Sequence, residues 1–389
     1  MLAADEPIVD LSDETILNFR IEREKLLKPL SYLNNVIERK SPIDVLSCIK
    51  IETKHNNLVL TATDLDIYAV AFVQSQIDMQ CDITVSAIEL HDIIKKLPSG
   101  AQIQFRTTSS RLHISCNNSN FYLLLAVEKN FPSVHESDFT CSFITPTANL
   151  HTLFSKTKFA ISQEETRYNM CGVSFSVDQS TMLLTCAAVD GHRLAKMHSD
   201  LPLSVNSSIK VIIPKKTVYA LLKVIEDNTQ EDIKIEVSNR KIRFTYDNYI
   251  ITSKLIDGIF PDYEPIIPDP NAAKISIKVD ANLLSEGVNR VAVVTMFDKL
   301  RSIKFHIQGE SLTLKTSSSC SSSATETIQI ECNPGTADME IGINTRYILE
   351  VLQCIKNNCI FYFTDNSSAI LIKNEEHPEA SYIIMPMRI

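Results

Sequence analysis

The sequence contains few of the residues that most catalytic and nucleotide-binding sites require. Its 389 residues include no tryptophan and only eight glycines. The patterns G-x-x-x-x-G-K-[ST] and G-x-G-x-x-G do not occur, so no glycine-rich phosphate loop is predicted. H-E-x-x-H and G-x-S-x-G are also absent, and no aromatic-rich basic stretch indicates stacking on single-stranded nucleic acid. These absences make several large enzyme classes poor candidates.

The ten cysteines are scattered along the chain. No C-x-x-C pair occurs, and the closest two, Cys354 and Cys359, favour buried reduced thiols over a zinc site or a disulfide framework. No apolar run approaches the roughly 20 residues that span a bilayer. The first residues are acidic and lack the basic start of a signal peptide, so we expect a cytoplasmic protein without a membrane segment.

The formal net charge of −9 argues against a simple basic nucleic-acid binder, but this charge is unevenly distributed. Residues 1–19 contain five acidic side chains and no cation, whereas residues 20–40 contain six Lys or Arg against three Glu. The sign of the local charge, and not the net charge of the chain, decides whether a surface can face phosphate. The net charge therefore does not exclude DNA as a partner.

One layout recurs three times at spacings near one third of the chain. ITVSAIELHDIIKKL, VIIPKKTVYALLKVI and IGINTRYILEVLQCI each begin as an apolar strand and continue with apolar residues at helical spacing. The change falls at Ser86, Pro214 and Asn344, which are helix-start residues separated by 128 and 130 positions. A repeat of this period predicts three similar structural units.

A second layout precedes the first one in each repeat. FRIEREKLLKPL, FITPTANLHTLF and ISIKVDANLLSEGVNRV each read as a short strand followed by an amphipathic helix. Pro29 predicts a kink or an early end in the first of these helices. The dipeptides Phe131-Pro132 and Phe260-Pro261 lie 129 residues apart, each after a strand-like run. With alternating runs between them, each repeat is predicted as two helices on antiparallel sheets, an α+β fold.

The stretch that most resembles a catalytic site is Asp190-Gly191-His192-Arg193. The Asp and His are compatible with base catalysis, and Asp64 and Asp66 in TDLD are compatible with metal ligation. However, Asp64 and Asp190 occupy matching points of two repeats, where Asp commonly closes a turn through its own backbone. We therefore favour turns, and predict no catalytic residue, no metal and no cofactor. A metal-dependent hydrolase or nuclease using Asp190 and His192 stays as the alternative function.

Basic residues follow the predicted helices and their flanks in all three repeats. A single cation is usually part of a solvated helix face, but repeats arranged in a ring would direct such faces at a common centre. That surface would attract duplex DNA without reading its sequence. The cations concerned are Arg20, Arg23, Lys25, Lys28, Lys40, Lys95, Lys96, Lys156, Lys158, Lys215, Lys216, Lys223, Arg290 and Arg346.

From about residue 19 to the end, the sequence resembles the bacterial beta sliding clamps, the beta subunits of DNA polymerase III. The pieces that carry the resemblance are LLKPL (26–30), TDLD (63–66), RY (167–168), VDGHRLA (189–195), SKLIDGIFPDY (253–263), EIGIN (from 340) and YIIMPMRI (382–389). The resemblance implies three clamp domains per chain, closing head-to-tail as a homodimeric ring. We expect an acidic, disordered extension over 1–18 and clamp domains over 19–140, 141–266 and 267–389.

The resemblance also implies a non-catalytic processivity factor that encircles double-stranded DNA. Its implied partners are a second copy of the chain and the DNA polymerase III catalytic subunit, the clamp loader, other polymerases and repair proteins, which dock through linear peptides. No membrane partner is implied. A structural or adaptor ring that binds peptides and no DNA is a third hypothesis.

Two sets of site residues follow from the resemblance. The peptide pocket comprises Met170, Val189, Gly191, His192, Arg193, Leu194, Pro261, Ile266, Leu300, Asn344, Tyr347, Met385, Pro386 and Met387. Flexible methionines at the chain end suit a groove that accepts several peptides. The duplex-contacting set comprises Lys40, Arg167, Tyr168 and Asn169, with Arg20, Arg23, Lys28, Lys95, Lys96, Lys215, Lys216 and Arg346 from the basic helices.

The chain departs from the family pattern at four positions in or beside these two sets. Pro265 stands where a basic residue is common at the pocket rim, and Val189 stands where a hydroxyl is common. Both changes alter the expected peptide preference. Asn169 replaces a frequent aromatic residue and Glu164 is acidic, so the resemblance implies a weaker DNA contact at that edge.

Overall fold

The helices and strands of the computed structural model follow the three repeats. The structure describes residues 17–38, 41–54, 57–79, 82–108, 110–126, 131–133, 139–201, 205, 208–226, 231–296, 298, 301–317, 322–333 and 338–388. The chain divides into two compact units, one formed by residues up to 144 with 219–254, the other by 145–218 with 255–389.

Each repeat alternates strands with two helices. In the first repeat the described elements are β1 (Leu17–Glu22), α1 (Arg23–Leu33), β2 (Cys48–Lys54), β3 (Asn57–Thr63), β4 (Ile67–Gln74), β5 (Gln76–Met79), β6 (Asp82–Ser86), α2 (Ala87–Lys96), β7 (Gln102–Thr107), β8 (Arg111–Cys116) and β9 (Ser119–Leu124). In the second they are β10 (Cys141–Pro146), α3 (Thr147–Thr157), β11 (Gly172–Asp178), β12 (Leu183–Val189), β13 (Arg193–Asp200), β14 (Ile209–Pro214), α4 (Lys215–Ile225), β15 (Asp232–Val237), β16 (Lys241–Tyr246) and β17 (Tyr249–Lys254). In the third they are β18 (Ile275–Asp280), α5 (Ala281–Ala292), β19 (Ser302–Gln308), β20 (Ser311–Ser317), β21 (Ser323–Gln329), β22 (Glu331–Cys332), β23 (Met339–Asn344), α6 (Thr345–Leu352), β24 (Asn358–Phe363), β25 (Ile370–Asn374) and β26 (Ala380–Ile384).

The strands form two sheets in each unit. The first unit contains a sheet in the order β5-β1-β7-β8-β9 and a sheet in the order β10-β15-β16-β17-β4-β3-β2-β6. The second unit contains β14-β11-β12-β13-β26-β25-β24-β18-β22 and β21-β20-β19-β23. The pairings between these described strands are antiparallel, which confirms the predicted α+β fold with antiparallel sheets.

Two of the sheets join one repeat to the next with the same register. In the first unit β4 pairs with β17, and in the second unit β13 pairs with β26. Asp64 and Asp190 lie three residues before the first paired residue of β4 and β13, so the two joints can be aligned residue by residue. The paired residues run from Ile67↔Ser253 to Ala71↔Tyr249 and from Arg193↔Ile384 to Met197↔Ala380.

The same backbone hydrogen bond also closes each repeat, just after its last strand. The three bonds run from Ala126 N to Thr84 O (2.8 Å), from Ile256 N to Ile212 O (3.0 Å) and from Met387 N to Gly342 O (2.8 Å). The accepting residues stand two positions before Ser86, Pro214 and Asn344, so the bond recurs with the repeat. It fixes where the chain runs after β26.

The helices begin where the sequence predicted. Ser86 and Asn344 cap α2 and α6 by accepting backbone N–H groups of the first turn, and α4 begins directly after Pro214. The predicted early end of α1 at Pro29 is wrong, because the helix continues to Leu33. Pro29 removes one backbone hydrogen bond but lies on the buried face of the helix with Leu30, where its apolar ring packs inside the first unit.

Aromatic and aliphatic side chains fill each unit separately. Phe19 and Phe105 stack in the first unit with ring centroids 4.6 Å apart, and Phe361 and Phe363 stack in the second at 6.0 Å. Buried residues alternate along β8 and β20, as expected of sheets with one face on a core. The eight cysteines that the structure describes form no disulfide with one another, and six of them are buried, as predicted. Burial raises the pKa of Cys359 to about 12.

Two sequence predictions fall partly outside the described residues. β1 begins at Leu17, so the last two residues of the predicted N-terminal extension lie in a strand, while 1–16 are not described. Lys40 and Leu300 also lie outside the described residues. Among the helices that the structure does describe, none is long and apolar enough to cross a membrane.

Candidate functional site

An apolar cluster in the second unit lies where β12, β13 and β26 meet the segment that follows β17. Its buried members are Ala187, Val189, Leu194, Ile212, Phe260, Tyr263, Leu371 and Ile383. Met170 packs against it and is partly buried. Burial raises the pKa of Tyr263 to about 12, with nearby carboxylates adding to the effect, so its hydroxyl stays neutral at physiological pH. The cluster gives the site an uncharged floor.

The turn between β12 and β13 is held by Asp190. Its Oδ1 accepts the backbone N–H groups of His192 (2.9 Å) and Arg193 (3.1 Å), and Gly191 at the tip has a φ of +90°. Asp64 closes the matching turn of the first repeat by accepting the N–H groups of residues 66 and 67. The predicted turn role of both aspartates is therefore confirmed.

Arg193 lies beneath this turn and is almost fully buried. Its Nε donates to Asp190 Oδ2 at 2.8 Å, Nη1 donates to Glu350 on α6, and Nη2 donates to Phe159 O at 2.6 Å. The guanidinium carbon also lies 4.4 Å from the centre of the Tyr347 ring. One cation thus joins the turn, the end of α3 and the helix α6, and its charge is balanced by two carboxylates.

Helix α6 and the chain end form another side of the site. Asn344 caps α6, and Tyr347 in its first turn stacks near the His192 ring at 6.3 Å. Met385 N donates to His192 O at 2.8 Å, which places the last residues beside the Asp190 turn. Pro386 and Met387 border a groove lined also by Lys304, Glu340, Ile341, Gly342, Asn366, Ser367 and Arg388.

The structure therefore brings most of the predicted pocket residues together in one unit. Met170, Val189 and Leu194 belong to the apolar cluster or pack on it, while Ile266 is exposed on the 3-10 turn Glu264–Ile266. Leu300 is not described. Sequence reasoning did not include six buried members of the cluster, which are Ala187, Ile212, Phe260, Tyr263, Leu371 and Ile383. The aromatic residues of FPDY and the apolar residues of the last two strands, ILIKN and ASYII, were the available signals.

The predicted DNA-contacting cations differ in how they are placed. Lys28, Lys95 and Lys96 are exposed on α1 and α2, and Arg20 is exposed on β1. Arg23 instead donates to the carbonyl oxygens of Ile94 (3.0 Å) and Lys95 (2.8 Å), so it satisfies the C-terminal end of α2. This structural role makes Arg23 a weaker candidate for phosphate contact.

In the second unit, the basic residues predicted on helices carry local partners. Lys215 Nζ donates to Gln163 Oε1 at 2.5 Å, and Arg346 Nε donates to Glu350 Oε1 at 3.0 Å. Lys216 is partly buried at the start of α4. The Glu350 carboxylate raises the pKa of Arg346, so this guanidinium is charged at every physiological pH.

The 3-10 turn Glu165–Met170 carries the other predicted DNA contacts. Arg167 Nε lies 3.0 Å from Glu164 Oε2, and its guanidinium packs so close to Gly191 that a Cβ there would lie 2.6 Å from Nη1. Tyr168 is exposed, and Asn169 Nδ2 donates to Ile259 O at 2.8 Å. The turn thus contacts the Asp190 turn directly and ends at Met170 on the apolar cluster.

The alternative hydrolase would need Asp190 available for chemistry or for a metal. Both of its carboxylate oxygens accept hydrogen bonds from the turn and from Arg193. Within the described ranges, no group of three or more His, Cys, Asp or Glu side chains is placed to hold a metal ion. Asp190 is therefore accounted for by its structural contacts.

Comparison with known proteins gives one consistent result over nearly the whole chain. Family models match in order: DNA polymerase III beta subunit, N-terminal domain, at 17–135; central domain at 145–262; C-terminal domain at 265–388. The beta sliding clamp of Caulobacter vibrioides is 33% identical over 378 residues, covering 96% of this chain and all of the relative. That of Rickettsia bellii is 31% identical over 385 residues, with the same coverage.

Solved structures agree with the sequence matches. The sliding clamp (DNA polymerase III subunit beta) from Bartonella birtlesii, bound to griselimycin, superposes with a TM-score of 0.91 at 32% identity. The Pseudomonas aeruginosa protein, also bound to griselimycin, gives a TM-score of 0.89 at 31% identity. Each comparison covers 96% of this chain and 100% of the other.

Removing the buried cation at the centre of the site should lower stability. Arg193→Met leaves Asp190 and Glu350 without their shared partner, and both carboxylates are less than a quarter exposed. Breaking a fully buried pair costs about 3–5 kcal/mol, and partial exposure reduces this, so we expect a loss of about 2–3 kcal/mol in the free energy of unfolding of the second unit. Urea unfolding followed by circular dichroism measures it.

Arg346→Met is the matched control, because Arg346 pairs with the same Glu350 but is more than half exposed. An exposed pair contributes at most about 1 kcal/mol. Equal stability of the two variants would contradict the role given to Arg193.

Proposed function

Because this chain belongs to the DNA polymerase III beta subunit family, we propose that two copies close head-to-tail around duplex DNA and that the site above tethers the polymerase. Sliding clamps of this family are non-catalytic processivity factors. The observation that carries the proposal is that one joint occurs twice, β4 with β17 and then β13 with β26. Two sheets contain strands of a single repeat and so form half of such a joint: β5-β1-β7-β8-β9 of the first repeat and β21-β20-β19-β23 of the third. We call these the half-sheets. We place the second and third domains at 141–266 and 267–389, as expected from the sequence, and start the first domain at Leu17 instead of residue 19 because β1 begins there.

The two remaining half-sheets end in strands that match the joined ones. As far as the described residues go, β9 and β21 are terminal strands of their sheets. β9 matches β17 and β26 as the last strand of a repeat, and β21 matches β4 and β13. Terminal strands present unpaired backbone groups, which pairing with another chain satisfies. Because β9 and β21 differ, their pairing makes a head-to-tail contact that closes when two copies meet twice.

The hairpins fix the register of the proposed contact. Ser311 opens β20 as Asn57 opens β3, and Ser119 opens β9 as Tyr249 opens β17. If β21 pairs with β9 of the second copy in the register seen between β4 and β17, each paired residue of β21 has one defined partner. This register places Ser323 opposite Tyr122, Ala324 opposite Phe121, Thr325 opposite Asn120 and Glu326 opposite Ser119 of the second copy.

Exposed apolar residues at the same edges support this contact. Counting from the start of each helix, Val293 after α5 matches Phe159 after α3. Phe159 packs against Tyr382 of the joined strand β26, with ring centroids 6.0 Å apart, whereas Val293 is 66% exposed. The residue that matches Tyr382 in β9 is Phe121. We therefore place Val293 against Phe121 of the second copy.

A charge at Val293 should open the ring. Val293→Lys would bury an unpaired ammonium against Phe121 of the second copy, which should weaken the dimer at least about a hundredfold, while an exposed lysine leaves the single chain folded. Light scattering after size-exclusion chromatography gives the mass, and we expect the dimer of 43.7 kDa chains to become a monomer at micromolar concentration. Leu283→Lys, an exposed change at the other end of α5, is the control and should stay dimeric. A dimeric Val293→Lys variant would refute the proposed joint.

The peptide pocket is proposed around the apolar cluster and the chain end. It comprises Met170, Val189, Gly191, His192, Arg193, Leu194, Pro261, Ile266, Leu300, Asn344, Tyr347, Met385, Pro386 and Met387. The pocket has an uncharged floor formed by the apolar cluster, methionine side chains at its sides and the rigid Asp190 turn beneath. These features suit a groove that binds short apolar motifs. Griselimycin, which is bound to the Bartonella and Pseudomonas relatives, supplies a test ligand for the pocket. Proposed occupants are peptides of the DNA polymerase III catalytic subunit, the clamp loader, other polymerases and repair proteins.

Griselimycin binding tests the pocket. Met385→Glu places a carboxylate among apolar groups and should weaken binding at least tenfold, because the carboxylate loses hydration without gaining a partner. Isothermal titration calorimetry measures the dissociation constant. Met296→Glu changes a second exposed methionine outside the pocket and should bind as the wild type does. If the two variants bind equally well, the pocket has been assigned to the wrong residues.

The duplex-facing surface is proposed from the helix cations. Arg20, Lys28, Lys95, Lys96, Lys215, Lys216 and Arg346 carry it, with Lys40 and the 165–170 turn as further contacts and Arg23 in a supporting role. Several of these cations form ion pairs with carboxylates or bind the carbonyl oxygens at a helix end. This reduces the positive charge available to DNA and favours a weak, sequence-independent attraction to phosphate. Weak attraction suits sliding, because the closed ring and not affinity prevents escape. A partner of this kind implies a cytoplasmic location.

A further inference from the structure

Two large apolar side chains, Tyr168 and Ile259, stand exposed beside the proposed peptide pocket. Tyr168 lies in the 3-10 turn Glu165–Met170 and is 59% exposed, and Ile259 lies in the segment after β17 and is 88% exposed. We refer to this pair as the 168/259 ledge. Exposed apolar groups held close together mark interaction sites more often than isolated ones do.

The ledge is braced by backbone contacts. Asn169 Nδ2 donates to Ile259 O at 2.8 Å, which ties the turn to the segment. The Tyr168 ring packs on Gly258, where an added Cβ would lie 3.1 Å from Cε2, and Cys171 N donates to Tyr168 O at 3.0 Å. A surface already fixed in place loses little conformational entropy when a ligand binds to it.

The ledge is continuous with the pocket floor along both segments of the chain. Met170 is two residues after Tyr168 and packs on the apolar cluster, and Phe260 directly follows Ile259 and is buried in that cluster. A peptide lying in the pocket therefore needs only a few more residues to reach the ledge, at about 3.3 Å per extended residue. This continuity identifies the occupant as an extension of the docked peptide.

Charge separates this occupant from DNA. The segments 164–170 and 257–264 contain five carboxylates and one cation, Arg167, which is paired with Glu164 at 3.0 Å. Lys196 approaches Glu264 at 2.5 Å but offsets only that one carboxylate. This excess of negative charge weakens the DNA contact proposed for the 165–170 turn, in line with the weaker contact expected beside Glu164, and makes an apolar side chain the better-fitting partner of the ledge.

We propose that the 168/259 ledge is an extra recognition site that binds one apolar side chain flanking the peptide motif held in the pocket. The proposal rests on the pocket described under the proposed function and adds a specificity-determining position to it. Peptides that carry an apolar residue at the right distance from the motif bind more tightly than those that end at the motif. Acidic flanks weaken binding, because they meet the surrounding carboxylates.

The test uses the intact dimer and peptides chosen without prior assumption. Random heptapeptides displayed on phage are bound to the wild type and eluted with griselimycin, so that only pocket ligands are recovered. The best heptapeptide is then extended at either end by four residues, all glycine except for one leucine moved through the four positions. Fluorescence anisotropy gives each dissociation constant for the wild type, Tyr168→Ser, Ile259→Ser and Leu283→Ser.

We expect one leucine position to improve binding about fivefold over the all-glycine extension in the wild type and in Leu283→Ser, the exposed apolar control. Tyr168→Ser and Ile259→Ser should lose this gain and still bind the unextended heptapeptide as the wild type does. That last comparison separates the two proposals, because an altered pocket would change the unextended peptide as well.

Three results would overturn the proposal. The first is that no leucine position improves binding, and the second is that the gain persists in Ile259→Ser. The third is that Tyr168→Ser binds every peptide as the wild type does but binds duplex DNA more weakly, which would assign Tyr168 to DNA contact alone. Failure to recover any heptapeptide by griselimycin elution would remove the pocket itself and the ledge with it.

Discussion

Backbone pairing between the last strand of one repeat and the fourth strand of the repeat before it is the interaction on which the rest of the structure depends. β4 pairs with β17 and β13 pairs with β26 in the same register, so each of these two sheets combines strands that are far apart in the sequence. An exposed strand edge has backbone groups that must be paired or solvated, and a repeat that ends in such an edge calls for a partner. The same kind of pairing between β9 of one copy and β21 of another accounts for head-to-tail closure.

The proposed site for peptides lies where the second of these joints is made. β13 begins at Arg193, β26 ends at Ile384, and the residues that follow return along the Asp190 turn through the Met385–His192 backbone bond. The buried guanidinium of Arg193 then fixes the turn to α6. Rigid polar bonding beneath and apolar, flexible side chains above give a groove with a fixed position and adaptable walls, which suits a surface that binds several partners. No chemical step is asked of these residues.

The repeat could be read from the sequence because its signals are local. Ser86, Pro214 and Asn344 start helices through their own chemistry, and Asp64 and Asp190 close turns through bonds two and three residues along. The contacts that sequence reasoning missed are long-range. Arg193 meets Glu350 across 157 residues, and Arg23 meets the end of α2 across 72, so no local pattern reports them. Pro29 was misjudged for a related reason, since packing around α1 outweighs the one hydrogen bond that proline removes.

The cations of the helices illustrate the same limit. Their presence in all three repeats was visible in the sequence, but Arg23 and Arg346 prove to be committed to a helix end and to Glu350. This pairing lowers the net attraction for phosphate, and a ring that encircles DNA tolerates the loss because closure and not affinity retains the duplex.

The most direct test of the account is retention on circular DNA. The dimer would be loaded with a clamp loader and ATP onto nicked circular plasmid, isolated by gel filtration, and counted before and after the circle is cut once. We expect the protein to stay on the circle in moderate salt and to leave within minutes of linearisation. Equal retention on circular and linear DNA would show that affinity and not encirclement holds the protein, and would contradict the ring.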